Sequence, residues 1–200
     1  MITDRDREKI NFIDSIGFAT IEQIAGMFFT RTKTGYDIAR RRLKTIKTHG
    51  YLKSIINNEL KKIIYLPSHS PKKSIKLHEL KILDYLVELH KLDCDLLEFE
   101  LSPKFPSEES YVIPDLFVKF TFNGYVYYQI VEVQSRHDFV NIDRFNNDKT
   151  LEYMVTKCDH TIPSIIVVQD TPHDYSKGNN TPFSVIKIKS DISDIAKVLC

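Results

Sequence analysis

The chain of 200 residues has no tryptophan, six glycines and three cysteines, and each shortage removes a class of chemistry. The glycines are too scattered to form a Gly-rich phosphate loop, and no GxSxG elbow occurs. P-loop phosphoryl transfer and α/β-hydrolase chemistry therefore lack their sequence support. Cys94, Cys158 and Cys200 are an odd set at wide spacing with no CxxC pair, which argues against both a disulfide framework and a zinc knuckle. The Cys158-Asp159-His160 triplet offers two metal-capable side chains, but no complementary pair stands elsewhere at zinc spacing; a coincidence at a helix end is the simpler reading. Long apolar runs are missing too. No stretch reaches the roughly 18 residues of a membrane span, and the opening MITDRDREKI carries acids where a secretory signal has an apolar segment. The expectation is a cytoplasmic protein without membrane contact, and no small-molecule substrate is evident.

What the chain has is charge, 28% of its residues, balanced to a net +1. Divided before His78, that balance comes apart. Residues 1–77 hold 16 Lys and Arg against 7 Asp and Glu, a net +9, whereas residues 78–200 hold 12 against 20, a net −8. Such asymmetry points to a basic module for a polyanion joined to an acidic module with another task. Between them PSHSPKKSIK, residues 67–76, has prolines and serines and no apolar period. A linker is expected over 67–77, separating domains at 1–66 and 78–200.

In the basic half, Thr3 with Asp6 and Thr20 with Gln23 have capping-box spacing just ahead of apolar residues at helical intervals. Two helices follow, the first with Ile10, Ile13 and Gly17 on one face, the second with Ile21, Ile24, Ala25 and Phe28, ending in the RTKTG loop that carries Arg31 and Lys33. A third begins near Tyr36, where Tyr36, Ala39, Leu43 and Ile46 form an inward stripe and leave Arg40, Arg41, Lys44 and Lys47 outside. Arg42 lies beside the stripe and is expected to pack along its own stem. After Gly50, LKSII and KKIIYL flank a polar NNEL turn, which predicts a short antiparallel hairpin. Three helices and a hairpin predict a winged helix-turn-helix, with the third helix in the major groove of double-stranded DNA and Lys61 and Lys62 of the hairpin on the backbone. A homodimer on an inverted or direct repeat is expected.

In the acidic half, HELKILDYLVELHKL is apolar on two stripes, as a buried helix is. LLEFEL (96–101), residues 111–122 and residues 125–134 are aromatic and β-branched runs typical of strands. A helix is predicted over 141–157, then a strand in SIIVVQ, a strand in SVIKIK and a helix capped by Ser190. The fold class is α+β or α/β, a winged helix-turn-helix followed by an αβββαβ domain. Asn123-Gly124 marks a type I′ hairpin. With Phe122 opposite Tyr125, Asp115 falls opposite Glu132, where like charges repel unless a cation or proton lies between them. Gln134 is on the same face, and so is Arg136 if the strand continues.

An aspartate after proline on one strand and Glu-x-x on the next, within an αβββαβ order, resembles the PD-(D/E)xK nuclease superfamily. The resemblance implies that Asp115 and Glu132 hold Mg²⁺, the one cofactor in prospect, and that a lysine activates water or stabilises charge. The lysine position is Gln134 here. Glutamine orients a water but cannot carry a proton or a positive charge, which leaves Lys149 or Arg136 to supply the charge. Over residues 20–169 the chain more specifically resembles the replication-relaxation family of Gram-positive plasmids and phages, on ARRRLKTIKTHGYL, IPDLFVKF, IVEVQ, and Lys149 with Tyr153 four residues on. That resemblance implies binding to plasmid or phage DNA, a role in replication or its control, and a nuclease-like domain not known to cut. Glu132, Lys149 and Tyr153 would then be structural or binding positions. Three readings stay open: a DNA-binding protein with a silent nuclease-like domain, a Mg²⁺-dependent deoxyribonuclease using Asp115, Glu132, Gln134 and Lys149, and a transcriptional regulator or protein-interaction adaptor.

Overall fold

A computed structural model describes residues 1–134, 139–175 and 181–199, and it is mixed α+β. Arg136 and Cys200 lie outside the described residues. The chain forms two compact units, Met1–Lys91 and Leu92–Cys200.

The first unit runs α1 (Asp4–Ile16), β1 (Ala19–Thr20), α2 (Ile21–Phe28), α3 (Gly35–Thr48), β2 (Leu52–Asn57), β3 (Lys62–Pro67) and α4 (Leu77–Lys91). Both predicted capping boxes are present. The Thr3 hydroxyl accepts from the Asp6 N–H at 3.3 Å while the Asp6 carboxylate accepts from the Thr3 N–H at 2.8 Å; Thr20 and Gln23 repeat the exchange at 3.2 and 2.9 Å. Two residues expected on inward faces are elsewhere. Gly17 closes α1 in the left-handed conformation, φ 92°, so Ile16 takes the inward place. Tyr36 is 47% exposed, because Gly35 occupies the buried position of the first turn: a Cβ there would come within 2.7 Å of the Phe29 carbonyl oxygen. The stripe of α3 is thus Gly35, Ala39, Leu43 and Ile46.

β2 and β3 pair antiparallel from Leu52 opposite Pro67 to Asn57 opposite Lys62, the predicted hairpin. β1, too short to announce itself by alternation, adds to β3 and gives the order β1-β3-β2. The segment expected as a free linker is strapped along β2. Ile75 is buried, the Asn57 amide donates to its carbonyl at 3.0 Å, and Lys53 donates to the Ser70 carbonyl. The helix expected in the second domain belongs to the first unit. Gln23 of α2 donates to the Leu80 carbonyl at 3.0 Å and to the Asp84 carboxylate at 2.7 Å. A Cβ on Gly26 of α2 would lie 2.4 Å from Val87 Cγ1, so the two helices meet where only glycine fits. The division accordingly falls after Lys91 and not before His78.

The second unit contains β4 (Asp95–Leu101), β5 (Phe105–Pro106), β6 (Tyr111–Val112), β7 (Leu116–Phe122), β8 (Tyr125–Val133), α5 (Asp148–Lys157), β9 (Ser164–Val168) and β10 (Val185–Ile188). Its main sheet has the order β10-β9-β8-β7-β4, with β5 and β6 as a separate ribbon. β4, β7 and β8 are antiparallel neighbours, and β8, β9 and β10 run parallel. Asn123 and Gly124 have φ 51° and 82°, as a type I′ turn requires. One face of the sheet buries Phe117, Ile130, Ile165 and Val167 with Phe145 and Met154. Residues one step along each strand, Leu116, Val131 and Ile166 among them, are fully buried as well. Strands buried on both faces read as continuous apolar runs.

Three predicted elements change. The run 111–122 is two strands, broken over 113–115, where Pro114 has no N–H for a ladder. The helix predicted from Asn141 begins at Asp148, capped by Asn147, whose side chain accepts from the Thr150 N–H at 3.0 Å; a 3₁₀ turn, Asp143–Phe145, precedes it. Ser190 caps no helix. Its N–H and hydroxyl both bind Asp170, Ile192 takes φ 61°, and only a 3₁₀ segment, Ile195–Leu199, follows. Among the described residues, no helix is long and apolar enough to cross a membrane.

Candidate functional site

The basic face is built by the helical period of α3. Ala39, Leu43 and Ile46 are fully buried, which turns Arg40, Arg41, Lys44 and Lys47 to solvent. Their local partners are weak. Arg40 approaches Asp37 at 3.6 Å with both side chains 61% exposed, and the Arg41 Nε donates to the Asp37 carbonyl at 3.4 Å; exposed pairs of this kind are worth about 0–1 kcal/mol and yield to a better anion. Lys47 donates to the Ser54 hydroxyl at 2.7 Å, linking α3 to β2. Arg31 and Lys33 are exposed in the α2–α3 loop, Lys61 is exposed at the hairpin turn, and Lys62 beside it is half-buried.

Arg42 does more than pack its stem. It ion-pairs with Asp6 of α1, which is 1% exposed, and its Nε–H donates to Oδ1 at 2.8 Å. Burial pushes the Asp6 carboxyl up, but hydrogen bonds from Arg42 and Thr3 outweigh it and hold the group well below the usual carboxylate range. Lys9, next along α1, is also buried, with its ammonium 4.7 Å from the Phe28 ring centre and donating to the Arg5 carbonyl at 2.6 Å. Desolvation lowers its pKa, partly offset by Asp6. These contacts fix the tilt of α3 against α1 without using its outer cations.

The ladder stops just before the predicted carboxylate pair. β7 and β8 keep the predicted register as far as Leu116 opposite Val131, one step short of Asp115 opposite Glu132. Asp115 leaves the ladder there, and its Oδ2 accepts from the Val133 N–H at 2.7 Å. Glu132, 7% exposed, forms an ion pair with Arg144 of the 3₁₀ turn. Among the described residues, Arg144 is a cation beside the glutamate that sequence reasoning missed; it lies inside the predicted helix 141–157, where the only signal was one more basic residue. Lys149 faces solvent on α5. Gln134 follows β8, its N–H bonded to the Val168 carbonyl at 3.0 Å.

The two carboxylates expected to hold Mg²⁺ are both engaged by protein donors. Hard cations take carboxylate oxygens that are open to them; here one Asp115 oxygen accepts from the Val133 N–H and Glu132 is paired with Arg144. Among the described residues, no group of three or more His, Cys, Asp or Glu side chains is placed to hold a metal ion. Cys158 is buried and its thiol is pushed up to about 12, chiefly by burial, while Asp159 accepts from Lys119 at 2.9 Å and from Tyr128. The Cys158-Asp159-His160 triplet is thus a helix end. No protein-family model matches the chain, and no curated protein matches it.

Proposed function

We propose that this chain is a DNA-binding protein whose first unit acts as a winged helix, with α3 entering the major groove and the β2–β3 hairpin serving as the wing. The observation that carries the reading is the segregation on α3: a fully buried stripe at Ala39, Leu43 and Ile46 against exposed Arg40, Arg41, Lys44 and Lys47. Arg40, Lys44 and Lys47 lie along one line of the helix, spanning about 10 Å, and a major groove about 12 Å wide admits such a helix. The +9 balance of residues 1–77 supplies the non-specific attraction. Arg31, Lys33, Lys61 and Lys62 flank the helix as backbone contacts.

By its resemblance to the replication-relaxation family, the protein acts in the cytoplasm on plasmid or phage DNA, in replication or its control, as a homodimer on repeated half-sites. The order β4, β7, β8, α5 and β9 in the second unit supports a PD-(D/E)xK-like reading without its leading helix, which packs in the first unit, and the Glu132–Arg144 pair supports a role in assembly or partner contact over strand cleavage. Anisotropy of a labelled random duplex, titrated between about 50 and 200 mM salt, tests the DNA reading. Affinity falls steeply with salt, and Arg40→Ala or Lys44→Ala flattens the slope of log K against log salt by about 0.9 for each phosphate no longer neutralised. Duplex binding that is absent, or indifferent to salt, rejects it.

A further inference from the structure

The parallel strands β8, β9 and β10 end side by side at Val133, Val168 and Ile188, and ligands of open α/β sheets bind beyond such carboxyl ends. Two cavities lie past β9 and β10 and share Thr171 as a wall. The first, about 610 Å³, is lined by Phe139, Thr171, Pro172, His173 and Asp174, within the size range of ligand pockets. The second, about 340 Å³, includes Lys187, Lys189 and Lys197 in its lining.

The first cavity has a braced aromatic wall. Phe139 meets His173 edge-on at 4.6 Å and stacks on Tyr175 at 5.6 Å and 18°, and His173 meets Tyr175 at 4.6 Å. Tyr175 is anchored in turn, its hydroxyl donating to Gln169 at 2.7 Å and accepting from the Val140 N–H at 3.1 Å. Phe139 nevertheless stays 52% exposed, an apolar ring held rigid with surface left to cover. Thr171 is 8% exposed and its hydroxyl has no hydrogen-bond partner among the described residues, so the partition between the cavities carries an unused polar group.

The second cavity offers cations. The Lys187 ammonium donates to the Thr171 and His173 carbonyls at 2.8 and 2.6 Å, which places it at the root of the aromatic turn with neutral partners. The acids lining this cavity are committed: Asp170 accepts from Ser190, and Asp194 from the Lys189 N–H at 2.8 Å and from Lys197 at 2.7 Å. Asp174 belongs to the aromatic side.

We propose that the paired cavities bind one unpaired nucleotide, its base stacked on Phe139 beside His173 and its phosphate against Lys187 and Lys189 across the Thr171 partition. Stacking on an aromatic ring tolerates any base, which suits a surface with few groups to read base edges. The proposal rests on the reading of the chain as a DNA-binding protein, but it uses the second unit and side chains with no part in duplex recognition.

The test is the affinity of the full chain for a labelled single-stranded oligonucleotide and for a duplex. Phe139→Ala weakens single-strand binding about tenfold and leaves duplex binding unchanged; Lys189→Gln, on an exposed side chain, weakens it less. Phe139→Trp retains binding and introduces the only tryptophan of the chain, whose emission a stacked base quenches. Quenching by free thymidine monophosphate supports the site with a soluble nucleotide as ligand, and quenching by the strand alone supports it with a polynucleotide. Quenching by neither, or single-strand affinity unaltered by Phe139→Ala, overturns it. Loss of duplex binding with single-strand binding retained counts only against the function proposed for α3.

Discussion

Replacing Asp6 by alanine removes a helix cap and an interhelical ion pair in one step. The carboxylate accepts from the Thr3 N–H and hydroxyl, each at 2.8 Å, and pairs with Arg42 while only 1% exposed. Loss of the cap costs about 1 kcal/mol. Stripping the carboxylate from a fully buried pair costs about 3–5 kcal/mol, but the Arg42 side chain is 33% exposed and turns partly to water, so about 1–2 kcal/mol is the fitting share. The total is about 2–3 kcal/mol, which lowers the melting temperature of a unit this size by about 10 °C or more. Far-ultraviolet circular dichroism, followed through heat and urea for the wild type and Asp6→Ala, measures it.

The same pair has a pH signature. The folded carboxyl lies below its ordinary 3.8, so its contribution is fully present above that value and is lost as pH falls through the folded pKa. The stability gap between wild type and variant therefore holds steady from neutral pH down to about 4 and narrows below it. A cost under about 1 kcal/mol, or a gap unchanged at about pH 2, would refute the assignment of Asp6 as an ionised anchor.

Gly26→Ala, normally a gain inside a helix, costs about 1–3 kcal/mol here because the new Cβ meets Val87 at 2.4 Å; adding Val87→Ala recovers part of the loss in a double-mutant cycle. Arg144→Ala leaves Glu132, 7% exposed, without its guanidinium and destabilises the second unit by about 1–3 kcal/mol, seen as a lower urea midpoint; an unchanged midpoint would show that the pair contributes nothing. Supercoiled plasmid incubated with the protein and Mg²⁺ or Mn²⁺ stays supercoiled on agarose. Nicking that disappears in Asp115→Asn would instead establish the nuclease. Gly124→Ala, at φ 82°, loosens the β7–β8 turn by about 1 kcal/mol, measured by the same urea titration.

What was legible in the sequence was local. Thr3 with Asp6, Thr20 with Gln23, and Asn123 with Gly124 act within a turn of chain, where side-chain chemistry alone decides the backbone. The α3 stripe was legible from Ala39 onward, since each buried residue repeats with the helix. The misses needed a partner distant in sequence. Arg42 finds Asp6 across 36 residues and Arg144 finds Glu132 across 12, and neither spacing has a periodic signature. The register of β7 and β8 was readable from the turn, yet the fate of Asp115 was not, because Pro114 ends the strand just before the predicted pair forms. The ownership of α4 was hidden for a related reason: an apolar helix announces that it is buried but not against what, and the telling residue was a glycine on α2.

The strap over 67–77 bears on how this protein can be divided or inherited. A gene fragment ending at Pro67 would encode every element of the proposed DNA reader, yet it would strip Leu80 and Asp84 from Gln23 and the Val87 ridge from Gly26. Such a peptide would carry an uncovered apolar face and tend to aggregate. The fragment that travels intact ends at Lys91, so a chimaera joined beyond that residue would preserve folding and one joined within the strap would damage it.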